Sequence, residues 1–171
     1  RVNTTNANAL RSLAKVAVAS GATFGPTVSQ TIGSLSGAGS VAITAATTLT
    51  IGSTNNLSTT FSGGTTATTG AINKAGTGTL TLTGQNLHTG ATTVSQGTLV
   101  LDFDQSSFTS NIISSSSPLA LAGGNLSVVG DAATASSQTF TTASLTSGTS
   151  SGLSATPGAG GLAVNLTTLT R

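Results

Sequence analysis

The run Lys74-Ala75-Gly76-Thr77-Gly78-Thr79-Leu80-Thr81-Leu82-Thr83-Gly84-Gln85-Asn86-Leu87-His88-Thr89-Gly90-Ala91-Thr92-Thr93-Val94-Ser95-Gln96-Gly97-Thr98-Leu99 decides the fold. In Thr79–Thr83 aliphatic and hydroxyl side chains alternate with period two, the signature of a strand with one apolar and one polar face. Glycines punctuate the run at short intervals, where a chain that turns sharply needs residues without Cβ. Leu80, Leu82, Val94, Leu99 and Leu101 are the expected inward positions. Gly76, Gly78, Gly84, Gly90 and Gly97 are expected at corners, with Asn86 satisfying turn amides and stacking on an equivalent Asn.

The same grammar extends in both directions. Val41-Ala42-Ile43-Thr44 and Thr48-Leu49-Thr50-Ile51 precede the run, and Leu119-Ala120-Leu121, Leu126-Ser127-Val128-Val129 and Leu162-Ala163-Val164-Asn165-Leu166 follow it. Between them lie Gly63-Gly64, Gly123-Gly124 and Gly160-Gly161. Many short strands with regular turns suit either an antiparallel sandwich or a solenoid. Asn-Gly and Asp-Gly, the dipeptides that favour tight hairpins, are absent, as are Trp and Tyr. A solenoid needs neither, because each coil stacks its small aliphatics on those of the next.

The central run resembles the autotransporter-associated β-strand repeat, Lys-x-Gly-x-Gly-x-Leu-x-Leu-x-Gly-x-Asn-x-Tyr-x-Gly-x-Thr-x-Val-x-x-Gly-Thr-Leu, without a gap. His88 stands where that family usually has Tyr. Ser20-Gly21-Ala22-Thr23-Phe24, Thr60-Phe61-Ser62-Gly63, Ala122-Gly123-Gly124-Asn125-Leu126 and Ser137-Gln138-Thr139-Phe140 are similar to flanking coils of such proteins. The likeness spans about residues 16–171. It implies an all-β chain forming a single right-handed parallel β-helix (β-solenoid) of about seven or eight coils, exported and displayed on a Gram-negative-type cell. The expected organisation is an N-terminal cap or first coil over 1–19, then the β-helix over 20–171 with the repeat at 74–101. At Ala9–Val16 helix formers and two charges leave a short helix, a polar cap or an ordinary coil equally open.

Composition narrows the function. Charged residues are 5% and aromatics 3% of the 171 residues, while 36% are hydrophobic and the formal charge is +2. Ser, Thr, Asn and Gly must therefore make the surface soluble. Arg1, Arg11 and Lys15 account for most of the basic character, and no basic stripe offers a nucleic-acid footprint. No cysteine is present, so disulfides and thiol chemistry are excluded. No run reaches the roughly 18 apolar residues of a membrane span, so membrane insertion of this segment is not expected. A first residue of Arg, without signal peptide or initiator Met, points to a piece of a longer parent.

Candidate chemistry is sparse. His88 is the only histidine, and one imidazole makes a poor metal site. Asp102 and Asp104 alternate with Phe103 and would face the same way from one strand, too few ligands for a firm Ca²⁺ site. Asp131 follows Gly130 and reads as a turn residue. With three acids in the chain, a glycosidase or lyase cleft is hard to build. No catalytic, cofactor or metal site is expected, and the chain is not expected to be an enzyme.

The expected role is a structural display segment: stalk, spacer or adhesin scaffold, with a host glycan or protein as a partner to consider. A self-assembling filament subunit stacking β-helices end to end is the alternative. A minor one is an ice-binding solenoid, which requires Thr-x-Thr runs such as Thr48/Thr50, Thr79/Thr81 and Thr168/Thr170 at the same place on successive coils. The Asn-x-Ser/Thr sequons at Asn3, Asn56, Asn125 and Asn165 are what chance produces in so Asn-, Ser- and Thr-rich a chain.

Overall fold

A computed structural model describes residues 2–6, 9–52, 56–146 and 148–171. Every strand pairing is parallel, and no helix occurs among the described residues. Register partners lie one coil apart in sequence, from 17 residues (Phe24 with Val41) to 27 (Leu99 with Leu126). Parallel strands cannot be joined by tight hairpins. The chain instead winds, with about seven turns, into a β-solenoid.

Two walls run the whole length, each of seven strands. Sheet I contains Lys15–Val18, Ser34–Gly37, Thr59–Phe61, Thr79–Leu82, Thr98–Asp102, Asn125–Val129 and Gly152–Thr156. Sheet II contains Gln30–Ile32, Thr48–Ile51, Ala71–Lys74, Thr92–Val94, Leu119–Leu121, Ser136–Leu145 and Leu162–Thr170. Sheet III, Val2–Thr4, Thr23–Pro26, Ser40–Val41 and Gly64–Thr65, closes the N-terminal part and has four strands. Beyond it the third wall thins to isolated bridges, Asn86 with Ile113 and Ser110 with Ser137. In the last two turns Ser136–Leu145 and Leu162–Thr170 pair with each other over almost their full lengths.

Register makes the core. On sheet I, Phe61, Leu82, Leu101 and Val128 follow one another in a single buried column, with Leu80, Leu99 and Leu126 in the column beside it. On sheet II, Leu49, Ile72, Thr92, Leu119 and Ala143 form one inward column, and Ile32, Ile51, Lys74, Val94, Leu121 and Leu145 the other. Burying each large aliphatic contributes roughly 1.5–3 kcal/mol relative to exposure. A one-residue slip in register would turn a whole column outward, so the alternation itself specifies the pairing.

Among its described residues the N-terminal segment contains no helix. Lys15–Val18 is the first strand of sheet I, paired with Ser34–Gly37. A turn precedes it, closed by the Ala14 amide donating to the Arg11 carbonyl at 2.7 Å. Pairing to the neighbouring coil overrides the local helix-forming composition. Gln30, buried inside, ties down the preceding residues: its Nε2 donates to the Asn6 carbonyl (2.7 Å) and its Oε1 accepts from the Leu10 amide (3.3 Å).

Candidate functional site

The chemistry of this chain lies inside the solenoid, around residues 74–97. Leu80, Leu82, Val94, Leu99 and Leu101 are buried in the central aliphatic columns. Gly76 and Gly97 adopt positive φ, +71° and +68°. At Gly84 φ is not the constraint; a Cβ would stand 2.0 Å from the Gly63 carbonyl oxygen of the preceding coil. Gly78 and Gly90 abut the Leu57 and Gly70 carbonyls in the same manner.

Asn86 is fully buried and pairs with Ile113, so it does not stack on another Asn. It also works as a donor rather than as an acceptor of turn amides. Its Nδ2 donates to the Gly84 carbonyl at 2.8 Å, while Oδ1 has no hydrogen-bond partner among the described residues.

Lys74 sits in an inward column between Ile51 and Val94, with 2% of its surface exposed. Its ammonium donates to three carbonyls, Ala75 (2.7 Å), Gly76 (2.8 Å) and Gln96 (3.2 Å). The three N–H donors of a lysine match three acceptors, so the charge is enclosed by corner backbone from two successive coils. Burial lowers its pKa from 10.5 to about 8, which leaves it a cation at neutral pH.

His88 has no exposed surface. Its own amide donates to Thr65 Oγ1 (3.1 Å), and Thr65 Oγ1 lies 2.9 Å from Nδ1. On the other side Nε2 lies 2.9 Å from Thr92 Oγ1, which is 2.9 Å from Ser117 Oγ, and Ser117 donates to the Gly90 carbonyl at 2.8 Å. That last carbonyl only accepts, which sets the directions as far as the ring: Thr92 donates to Ser117 and Nε2–H donates to Thr92, so that in the neutral ring Nδ1 accepts from Thr65. The proton of the neutral imidazole is therefore on Nε2. Burial holds its pKa down from 6.5 to about 4.

The carboxylates are turn caps. The strand ends at Asp102, so Asp104 does not continue its face. Asp102 Oδ1 accepts the Asp104 and Gln105 amides (3.1 and 3.3 Å), whereas Asp104 Oδ1 accepts the Ala132 amide of the next coil (3.1 Å). Asp131 Oδ1 accepts the Ala133 and Thr134 amides and the Thr134 hydroxyl, bonds that lower its pKa. No group of three His, Cys, Asp or Glu that could hold a metal occurs among the described residues. Nor does any described helix have the length and apolarity to cross a membrane.

The outer face of sheet II carries no charged side chain at its registered positions. Thr31, Thr50, Asn73, Thr93, Ala120, Ser144 and Thr170 form one outward column over all seven strands. Thr48/Thr50 and Thr168/Thr170 thus do fall at the same place on their coils, although Ala71 and Ala120 interrupt the grid between them.

Compared with known proteins, residues 72–101 match the passenger-associated-transport-repeat family. The matched stretch begins in sheet II at Ile72 and ends in sheet I at Leu101, and it contains Lys74, Asn86, His88 and Thr92. This chain therefore carries an autotransporter-passenger repeat within a β-solenoid, and the repeat implies a secreted or surface protein. No curated protein and no solved structure matches the chain.

Proposed function

We propose that the chain is a load-carrying display segment of an autotransporter-like passenger, a stalk or spacer holding other modules away from a bacterial surface. The observation that carries this reading is continuity: the repeat at 72–101 is wound into the same columns as the coils on either side. Phe61 above and Val128 below continue the line of Leu82 and Leu101. A rod of seven coils about 4.8 Å apart is roughly 30 Å long at the strand centres. Its three carboxylates hold turn amides and the Lys74 ammonium holds corner carbonyls, as a spacer would have them. The test is to place the chain upstream of an autotransporter β-barrel in a Gram-negative host, with an epitope tag at its N-terminus. Protease release of the tag from intact cells supports display, and retention of the tag in the periplasm contradicts it.

A second reading, end-to-end assembly of copies, has its own observation. Both ends of the solenoid leave apolar side chains open. A hollow of about 270 Å³ at the first turn is lined by Val2, Leu10, Val16, Val18 and Phe24. Another of about 190 Å³ at the last is lined by Leu121, Leu145, Leu153, Leu166 and Leu169. Unpaired strand edges beside exposed aliphatics favour stacking. Electron microscopy separates the two: fibres with a repeat of about 4.8 Å support assembly, and dispersed rods support the spacer.

A further inference from the structure

We infer that the Thr65–His88–Thr92–Ser117 relay is an acid-sensitive latch, in which protonation of His88 loosens the middle coils of the solenoid while the outer coils stay wound. The relay ties three successive coils together from the inside. Thr65 lies on the last strand of sheet III, Thr92 in an inward column of sheet II, and Ser117 in the loop leading to Leu119–Leu121. With the ring neutral, each of its groups has one direction of donation.

A second proton on His88 turns Nδ1 from an acceptor into a donor. Thr65 Oγ1 already receives the His88 amide. It would then face two donors, and its own hydrogen would lose its acceptor. The imidazolium would also lack a counter-charge. Lys74, itself a buried cation, is the one ionisable residue on Gly64–Thr65, Ala71–Lys74, Thr92–Val94, 112–117 and Leu119–Leu121. Asp102, Asp104 and Asp131 lie outside these elements. A charge buried in the core without a counter-charge is relieved by letting water in, which means opening the coil. The third wall offers the route, since here it is held by the isolated Asn86–Ile113 bridge rather than by a continuous ladder.

Amide hydrogen exchange on the whole chain, followed residue by residue at pH 7 and pH 5 and corrected for intrinsic rates, tests this. With folded and unfolded His88 values of about 4 and 6.5, opening of the segments around 64–66, 86–93 and 112–119 should rise about 20-fold over that interval. Amides of Asn125–Val129 should change little. Nitrogen NMR of the imidazole should show the Nε2–H form at pH 7. His88→Tyr, with the residue the repeat family usually carries, should abolish the response. Uniform exchange across the chain, no change at pH 5, or the Nδ1–H form at pH 7 would each overturn the latch. Those three readouts use the unmodified chain and decide the matter even if the variant does not fold.

Discussion

The ammonium of Lys74 and the carbonyl oxygen of Gln96, 3.2 Å apart, join the corner of one coil to the corner of the next. A lysine here occupies a place that Ile51 and Val94 fill in the neighbouring turns. Its head is used as an internal cation that gathers carbonyls pointing into the bend. Lys74→Met keeps the volume and removes the donors, stranding the Ala75, Gly76 and Gln96 carbonyls. Recovery of the desolvation of the charge offsets part of the loss. A net destabilisation of about 1–3 kcal/mol is expected in urea unfolding. An equal or higher unfolding midpoint would mean the ammonium contributes nothing to the corner.

The whole-chain stability should depend on pH through His88. Its folded value of about 4 lies below its ordinary 6.5. Between them the unfolded chain binds a proton that the folded chain does not, so stability is complete above about pH 6.5 and declines as pH falls toward 4. The decline should reach about 3 kcal/mol. Unfolding curves at pH 7, 5.5 and 4.5 check the slope, and His88→Tyr should flatten it.

Gly84 is held by contact with its neighbour and Gly21 by its own torsion. Gly84→Ala drives a methyl into the Gly63 carbonyl, which the coil above cannot yield without breaking its ladder, and should cost about 3 kcal/mol. Gly21→Ala meets no atom within 4 Å and strains only a φ of +77°. It should cost about 1 kcal/mol. Similar losses at both sites in thermal melts would remove the distinction.

Leu82 sits between Phe61 and Leu101 in its column. Leu82→Ala should cost about 2–5 kcal/mol, and Leu82→Asp should prevent folding by placing an unpaired charge there. Near-neutral melting of either variant would contradict the inward column.

The solenoid was legible because alternation and glycine spacing are local signals, and because parallel stacking needs only that they recur. Polar residues inside were harder to read, although parity points to them. Ile72 faces inward, so Lys74 two residues later does too, but a lysine is ordinarily assigned to solvent. Thr92 shares that parity with Val94, and its role shows only when His88 and Ser117 arrive from around a corner and from the following coil. Asp104 misleads in the opposite sense: the alternation Asp102-Phe103-Asp104 reads as strand, while the Asp102 carboxylate caps the turn that ends it. Ala9–Val16 has helix-forming residues, yet the unpaired edge of Ser34–Gly37 claims Lys15–Val18 as strand.

Cross-linking across sheet I tests the coil-over-coil winding most directly, since the chain has no cysteine to interfere. Thr79 and Thr98 are register partners on parallel strands, about 4.8 Å apart and within the reach of a disulfide. Asp102 lies about 13 Å farther along the same strand. The double variant Thr79→Cys with Thr98→Cys should oxidise readily in the folded chain, and Thr79→Cys with Asp102→Cys should not. The reverse outcome would mean that these strands run antiparallel as a hairpin, and the solenoid would fall.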